Sequence, residues 1–156
     1  MRKSSCMGRV VVACIGNRFR GDDGAGHRVA DLLSGETGAE VIKLQTAAEL
    51  LNHLTRGIDL LIIVDAMEKL SRAGAIHRLD STDKLSRTTA WRSTHTMTLP
   101  EIIDLADQLR MLPAKIIVYG IEGERFEQSS GLSENVEKAC VSVASEIRKL
   151  LHGKGE

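Results

Sequence analysis

The sequence has few cysteines and aromatic residues and no excess of charge of either sign. Its three cysteines, Cys6, Cys14 and Cys140, are widely spaced and odd in number, so we expect neither a disulfide framework nor a CxxC zinc site. Cys14 and Cys140 fall in apolar segments and are expected to pack in the core. Basic and acidic residues number 21 each, so the formal net charge is zero and no general attraction to nucleic acid is expected.

Long hydrophobic runs are also missing. The longest apolar run is far too short to cross a membrane, and residues 10–15 are too short for a signal-peptide core. We therefore expect a cytoplasmic protein with no membrane partner. Apolar residues make up 42% of the 156 residues and charged residues 27%, which is typical of a single globular domain spanning residues 1–156.

Short apolar runs separated by turn residues predict five strands. Three of them are predicted to be buried strands, one is a short strand near residues 40–44, and one, which carries a histidine and an arginine, is predicted to lie at an edge. The predicted strands lie near residues 9–15, 40–44, 58–64, 74–79 and 114–121. Buried strands of this kind belong to a mainly parallel sheet.

Helical spacing of apolar residues predicts a helix between most of these strands. Two starts, at Thr46 and Thr98, have the capping-box form T-x-x-E. The predicted helices run from Ala25 to Gly35, from Thr46 to Gly57, from Thr98 to Leu109 and from about Ser133 onwards. Strands alternating with helices predict a three-layer α/β/α fold with a mainly parallel, twisted sheet of about five strands and helices on both faces.

Acidic residues and one histidine fall where ligands bind in such a fold, at the carboxyl ends of the strands. Asp22 and Asp23 follow the first strand, the third long strand leads directly into Asp65, and a polar stretch before the Thr98 helix ends at His95. Two carboxylates and an imidazole form an O,O,N ligand set that suits nickel or zinc. The sequence therefore predicts one site, built from three loops, that recognises a metal ion.

Each of these residues also has an ordinary interpretation. One of Asp22 and Asp23 would cap the following helix, which leaves the other available for another role. His95 on its own would be a common loop histidine. Four further histidines keep the ordinary interpretation because none falls at a predicted strand end beside acids, and they are His27, His53, His77 and His152.

Three motifs in order resemble those of the hydrogenase maturation endopeptidases. GNRFRGDDGAG at residues 16–26 is similar to the family's GNxxxxDDGxG signature, and IIVDA at 62–66 resembles its second acidic motif. STHTMTLPE at 93–101 resembles its histidine motif. VYGIE at 118–122, followed by Gly-Leu-Ser at 131–133, resembles the closing strand and the start of the final helix. The resemblance covers most of the chain.

The resemblance implies an endopeptidase that removes the C-terminal extension of a nickel-iron hydrogenase large-subunit precursor after nickel insertion. Asp23, Asp65 and His95 fall on the family's metal-contacting positions, so they are implied as both the catalytic and the metal-contacting residues. The nickel is carried by the substrate, the precursor is the partner, and we expect the protein to act as a monomer. Glu122, at another strand end, is a weaker candidate for the site.

Three other interpretations compete with this one. A phospho-receiver signalling domain also has an acidic pair after its first strand, but the place of its lysine is taken here by residues 119–122. A nucleotide-binding module would need the spacing G-x-G-x-x-G, which the glycines near residues 16–26 do not have. An inactive relative that only assists hydrogenase assembly would keep the same motifs. The mechanism also stays open between metal polarisation of the carbonyl, a metal-activated water and a carboxylate base.

Overall fold

A computed structural model describes residues 8–55, 57–80, 91, 97–129 and 131–153. Within these residues the strands are β1 (Val10–Ile15), β2 (Glu40–Leu44), β3 (Leu60–Glu68), β4 (Ile76–Leu79) and β5 (Lys115–Gly123). They form one sheet in the order β2-β1-β3-β5-β4. The pairs among β1, β2, β3 and β5 are parallel, and β4 runs antiparallel to β5 at the edge. The predicted mainly parallel sheet and its edge strand are confirmed.

Helices cover both faces of this sheet. The first 3-10 helix (Gly21–Gly24) leads directly into α1, and the second (Ala47–His53) follows β2. The α-helices are α1 (Ala25–Leu32), α2 (Leu99–Gln108) and α3 (Glu134–Leu151). At the start of α2, Glu101 N donates to Thr98 Oγ1 while Thr98 N donates to Glu101 Oε1, which is the predicted capping box.

The core has two halves because successive side chains of a strand point to opposite faces. Cys14 and Val64 belong to the half covered by α1 and α3, whereas Ile63 and Met67 belong to the half covered by α2 and the second 3-10 helix. Cys14 and Cys140 are both free and buried, and burial raises the pKa of each thiol to about 12. Their predicted role in core packing is confirmed.

The helix predicted from Thr46 to Gly57 is a shorter 3-10 helix, which covers Ala47–His53. Thr46 accepts a hydrogen bond from Glu49 N as the capping pattern requires. The two residues that this helix buries, Ala47 and Leu50, are three positions apart, which matches the repeat of a 3-10 helix. Leu54 is also buried, but it lies beyond the end of the helix.

Asp65 lies inside β3 and not at its end, contrary to the sequence prediction. β3 continues to Glu68 because it stays paired with β5 as far as Gly123. On the other side β1 stops at Ile15, one residue past its pairing with Val64. β3 therefore leaves β1 at the level of Asp65, where the loop after β1 begins.

In the part of the chain that the structure describes, no helix combines the length and the hydrophobicity that crossing a membrane requires.

Candidate active site at the carboxyl end of the sheet

Glycines shape the loop that follows β1 and carries the acidic pair. Gly21 has a φ of +58°, and a Cβ there would lie 2.4 Å from the carbonyl oxygen of Arg125. A Cβ at Gly16 would lie 2.4 Å from the carbonyl oxygen of Asp23, to which Asn17 N donates. The loop therefore folds tightly back on itself and against the loop after β5, which only glycine permits at these positions.

Asp22 is a buried structural carboxylate. Its Oδ2 accepts hydrogen bonds from Glu124 N at 2.9 Å, from Arg125 N at 3.1 Å and from Ser133 Oγ at 2.7 Å, and its Oδ1 accepts one from Ser133 N at 2.7 Å. Burial by itself raises the pKa of Asp22, but these hydrogen bonds outweigh it and lower the pKa. Asp22 therefore ties the loop after β1 to the segment between β5 and α3, rather than capping its own helix.

Asp23 and Asp65 are the acidic pair that the structure brings together. Asp65 is only 7% exposed, and its Oδ1 accepts a hydrogen bond from Ala66 N at 2.8 Å. Burial raises the pKa of the Asp65 carboxyl well above its ordinary range, and the negative charge of the half-buried Asp23 raises it further. The charge of Asp23 thus disfavours the ionisation of Asp65, so a cation or a proton beside Asp65 is stabilising.

The predicted third member, His95, lies outside the described residues, so its place beside Asp23 and Asp65 stays a prediction. The described residues resume at Met97, and α2 begins two residues later at Leu99. Asp65 lies on the sheet face that α2 covers, because it alternates with Val64 and shares the face of Ile63.

Glu122 and His77 form a pair that the sequence interpretation missed. Glu122 is fully buried, and its Oε1 accepts hydrogen bonds from Leu70 N at 2.8 Å, Ser71 N at 2.8 Å and Arg72 N at 3.0 Å. His77 Nε2 lies 2.6 Å from its Oε2. Burial by itself raises the pKa of Glu122, but the hydrogen bond from His77 and those from the backbone outweigh it and lower the pKa to about 2. Glu122 thus positions the loop after β3.

The ordinary interpretation of His77, given because it falls at no predicted strand end beside acids, did not anticipate its contact with Glu122. β4 runs antiparallel to β5 with His77 opposite Gly120, which places its side chain on the same face as Glu122 two residues along. A histidine on a predicted edge strand was the available signal. The partner strand and its direction were not visible in the sequence, so the acid could not be found.

An apolar wall stands between Asp65 and His77 on this face. Gly120 lies opposite both residues in the sheet register. A Cβ at Gly120 would lie 2.6 Å from the sulfur of Met67 and 2.8 Å from the ring of Trp91. The two buried side chains therefore occupy the space above Gly120 and separate the acidic pair from the Glu122–His77 pair.

A family model described as HycI, hydrogenase maturation protease, matches residues 35–150, well over half of the chain. The chain belongs to this family. The matched residues include Asp65 and His95, whereas Asp23 lies before them in the sequence. The resemblance drawn from the three motifs is confirmed.

Solved structures of maturation proteases share the fold over nearly the whole chain. The hydrogenase maturating endopeptidase HybD from E. coli is 25% identical with a TM-score of 0.79, covering 94% of each chain. The [NiFe] hydrogenase maturation protease HybD from Thermococcus kodakarensis is 27% identical with a TM-score of 0.72, covering 92% of this chain and 98% of that one.

A third solved structure shares the same fold. The hydrogenase 2 maturation peptidase from Thaumarchaeota archaeon SCGC_AB-539-E09 is 27% identical with a TM-score of 0.68, covering 92% of this chain and 97% of that one. No curated protein is similar enough to the chain to count as a match.

The maturation protease fold also separates this chain from a phospho-receiver. Receivers have the sheet order 2-1-3-4-5. Here β5 takes the fourth place and the antiparallel β4 forms the edge. The buried Glu122, held by His77, stands near the place where a receiver needs its lysine.

Proposed function

We propose that this member of the hydrogenase maturation protease family removes the C-terminal extension of a nickel-iron hydrogenase large-subunit precursor after nickel has been inserted. Family membership supports the peptidase activity and the class of substrate. The assignment of the site rests on the proximity of Asp23 to the buried Asp65. Burial and the charge of Asp23 both raise the pKa of Asp65.

Nickel bound to the precursor is the cation that this pair is proposed to recognise. A divalent ion near both carboxylates would favour their ionised forms and offset the repulsion between them. His95 is proposed to supply a nitrogen ligand, which completes a set that suits nickel. A precursor without the metal would offer no cation to this pair, so binding would depend on nickel insertion.

The hydrolysis step is proposed to use the same residues. Cleavage requires a water to lose a proton as its oxygen attacks the scissile carbonyl, and it requires the leaving amine to gain a proton as the C–N bond breaks. The base that takes the first proton can supply the second. Asp23 is the more accessible of the two acids and is the better candidate for the base, whereas the raised pKa of Asp65 suits a carboxyl that carries a proton before the substrate arrives. Polarisation of the carbonyl by the substrate's nickel is the alternative route.

The reaction is proposed to take place in the cytoplasm, with the protein acting as a monomer. The free, buried thiols of Cys14 and Cys140 are consistent with a reducing compartment. Asp23, Asp65 and His95 all belong to one chain, so the proposed site needs no second copy.

The test mixes the purified protein with nickel-loaded precursor and follows the mass of the C-terminal fragment. We expect cleavage of the loaded precursor, none of the metal-free precursor, and a loss of at least about 100-fold in rate for D23N and D65N. D107N is the matched control, because Asp107 is exposed near the end of α2, and it should cleave like the wild type.

The possible outcomes separate the parts of the proposal. Absence of cleavage of a matched, nickel-loaded precursor would leave only the inactive assembly factor. Cleavage of the metal-free precursor at the same rate would contradict nickel recognition. Full activity of D23N and D65N would contradict the assignment of the site.

A further inference from the structure

A cavity of about 230 Å³ lies between the loop after β1, helix α1 and the start of α3. Gly21 and Gly24, the first and last residues of the first 3-10 helix, line it on one side, and residues 131–132 line it on the other. Asp23 directly precedes Gly24 in the chain, so the Cα atoms of these two residues are about 3.8 Å apart. The cavity therefore lies next to the backbone that carries one member of the acidic pair.

The acidic residues of the cavity lining are already paired with basic residues. Arg28 Nε donates to Glu137 Oε1 at 3.0 Å, and Arg28 Nη2 donates to Glu137 Oε2 at 2.9 Å. Asp31 Oδ1 lies 2.6 Å from Lys43 Nζ. Arg18 also lines the cavity, but its exposed side chain forms no ion pair or hydrogen bond with any residue that the structure describes. The lining therefore has one positive charge without a partner.

The backbone of Arg18 is held against the helix that carries Asp23. A Cβ at Gly24 would lie only 3.0 Å from Arg18 Cα, so the missing side chain allows this close approach. Asn17 N, one residue before Arg18, donates to Asp23 O at 3.0 Å. Because the backbone is already fixed, Arg18 loses only side-chain freedom when it binds a ligand at the cavity.

An anionic group is the ligand that this lining favours. A guanidinium group binds a carboxylate through two parallel hydrogen bonds, and the Arg18 guanidinium has no competing partner among the described residues. His27, the histidine of the lining, is buried and its Nε2 donates to Leu44 O at 2.8 Å. Sites for drug-sized ligands begin at roughly 300 Å³, so the smaller cavity suits a single side chain or a chain end.

We propose that this cavity binds a carboxylate of the precursor's C-terminal extension and that Arg18 pairs with it. The inference rests on the proposed function and names a part of the substrate that the acidic pair does not contact. Two sources offer this group, namely the chain-terminal carboxylate of the extension and an aspartate or glutamate side chain within it. One ion pair of this kind acts at short range, so it adds affinity without steering the precursor from a distance.

Binding of a synthetic peptide with the sequence of the extension tests the inference without requiring cleavage. The Kd is measured by calorimetry for the peptide with a free C-terminal carboxylate, for its C-terminal amide, and for a peptide with asparagine and glutamine in place of its acidic residues. We expect R18Q to raise the Kd of the free acid about tenfold. R18K should raise it less, because lysine keeps the charge but loses the paired hydrogen bonds.

The nickel-loaded precursor provides the second measurement, which decides the question if the peptide alone binds too weakly. R18Q should raise the KM about tenfold with kcat and the melting temperature retained. R110Q is the matched control, because Arg110 is also exposed and lies beyond the end of α2, outside the cavity lining. It should match the wild type in Kd and KM.

An unchanged Kd and KM in R18Q would overturn the inference and leave the proposed function intact. Weaker binding of the amide would identify the chain-terminal carboxylate, and weaker binding of the peptide without acidic side chains would identify a side chain. Equal, measurable binding of all three peptides would overturn the inference. If the wild type binds the free acid through Arg18 but cleaves no precursor, the proposed function fails and the assignment of the cavity stands.

Discussion

At the scale of the residue, the acidic side chains near the carboxyl end of the sheet divide into two kinds. Asp22 and Glu122 are fully buried and accept several hydrogen bonds from backbone N–H groups. Asp23 and Asp65 lie close enough for the charge of one to raise the pKa of the other. The first kind positions the loops, and the second kind is proposed to meet the substrate.

Replacing Asp22 by asparagine should destabilise the fold. The amide group would place N–H donors against Glu124 N, Arg125 N or Ser133 N, which are donors themselves. We expect D22N to lower the free energy of unfolding by about 3 kcal/mol, measured by urea denaturation. D23N is the natural control and should change it by much less. Equal losses in the two variants would contradict the division of roles.

Glu122 should make the stability of the protein depend on acid pH. Its pKa is lowered from 4.5 to about 2 in the folded protein, so its ionised form stabilises the fold above pH 4.5. This stabilisation is lost as the pH falls from 4.5 towards 2, because the unfolded chain takes up the proton first.

Urea denaturation across this pH range provides the measurement. E122Q removes the titrating group, so its free energy of unfolding should fall less steeply with decreasing pH than that of the wild type. E124Q serves as the control because Glu124 is exposed, and it should follow the wild type. Parallel curves for E122Q and the wild type would show that Glu122 does not carry the effect.

At the scale of the element, β5 joins the two parts of the site because it pairs with β3 on one side and with β4 on the other. Gly120 lies at its centre, opposite Asp65 and His77, and leaves space for Met67 and Trp91. The position demands glycine for reasons of packing, since its backbone conformation is not in the left-handed region.

G120A should therefore force Met67 and Trp91 out of place. The added methyl group would lie 2.6 Å from the sulfur and 2.8 Å from the indole ring, so we expect a loss of about 2 kcal/mol in the free energy of unfolding. G38A is the comparison variant, because its Cβ would lie 3.3 Å from Leu151 Cβ and would require a shift of only a few tenths of an ångström. If G120A had the same free energy of unfolding as the wild type, the Met67 and Trp91 side chains would not be tightly packed above Gly120.

At the scale of the whole molecule, the balance of charge predicts how the protein meets its partner. With 21 basic and 21 acidic residues, the chain has no net charge to steer a large precursor. We expect kcat/KM for the nickel-loaded precursor to change by less than about twofold between low and physiological ionic strength. A steep fall of kcat/KM with added salt would instead indicate that a charged surface binds the precursor.

The alternation of strands and helices, the start of α2 and the family motifs could all be predicted from the sequence. Each of these depends on neighbouring residues, since apolar periods and the Thr98–Glu101 capping pair are read within a few positions. The strand at residues 40–44 and the start of α3 after Ser133 agree with the structure for the same reason.

The packing of distant segments determines which acids are buried anchors and which are proposed to contact the substrate. Asp22 and Asp23 are the same residue type in adjacent positions, and Asp22 is the buried anchor because Ser133, more than a hundred positions away, donates two hydrogen bonds to it. The pairing of His77 with Glu122 likewise depends on the direction and register of β4. Contacts between distant segments arise from how elements pack together, and no local pattern in the sequence records that packing.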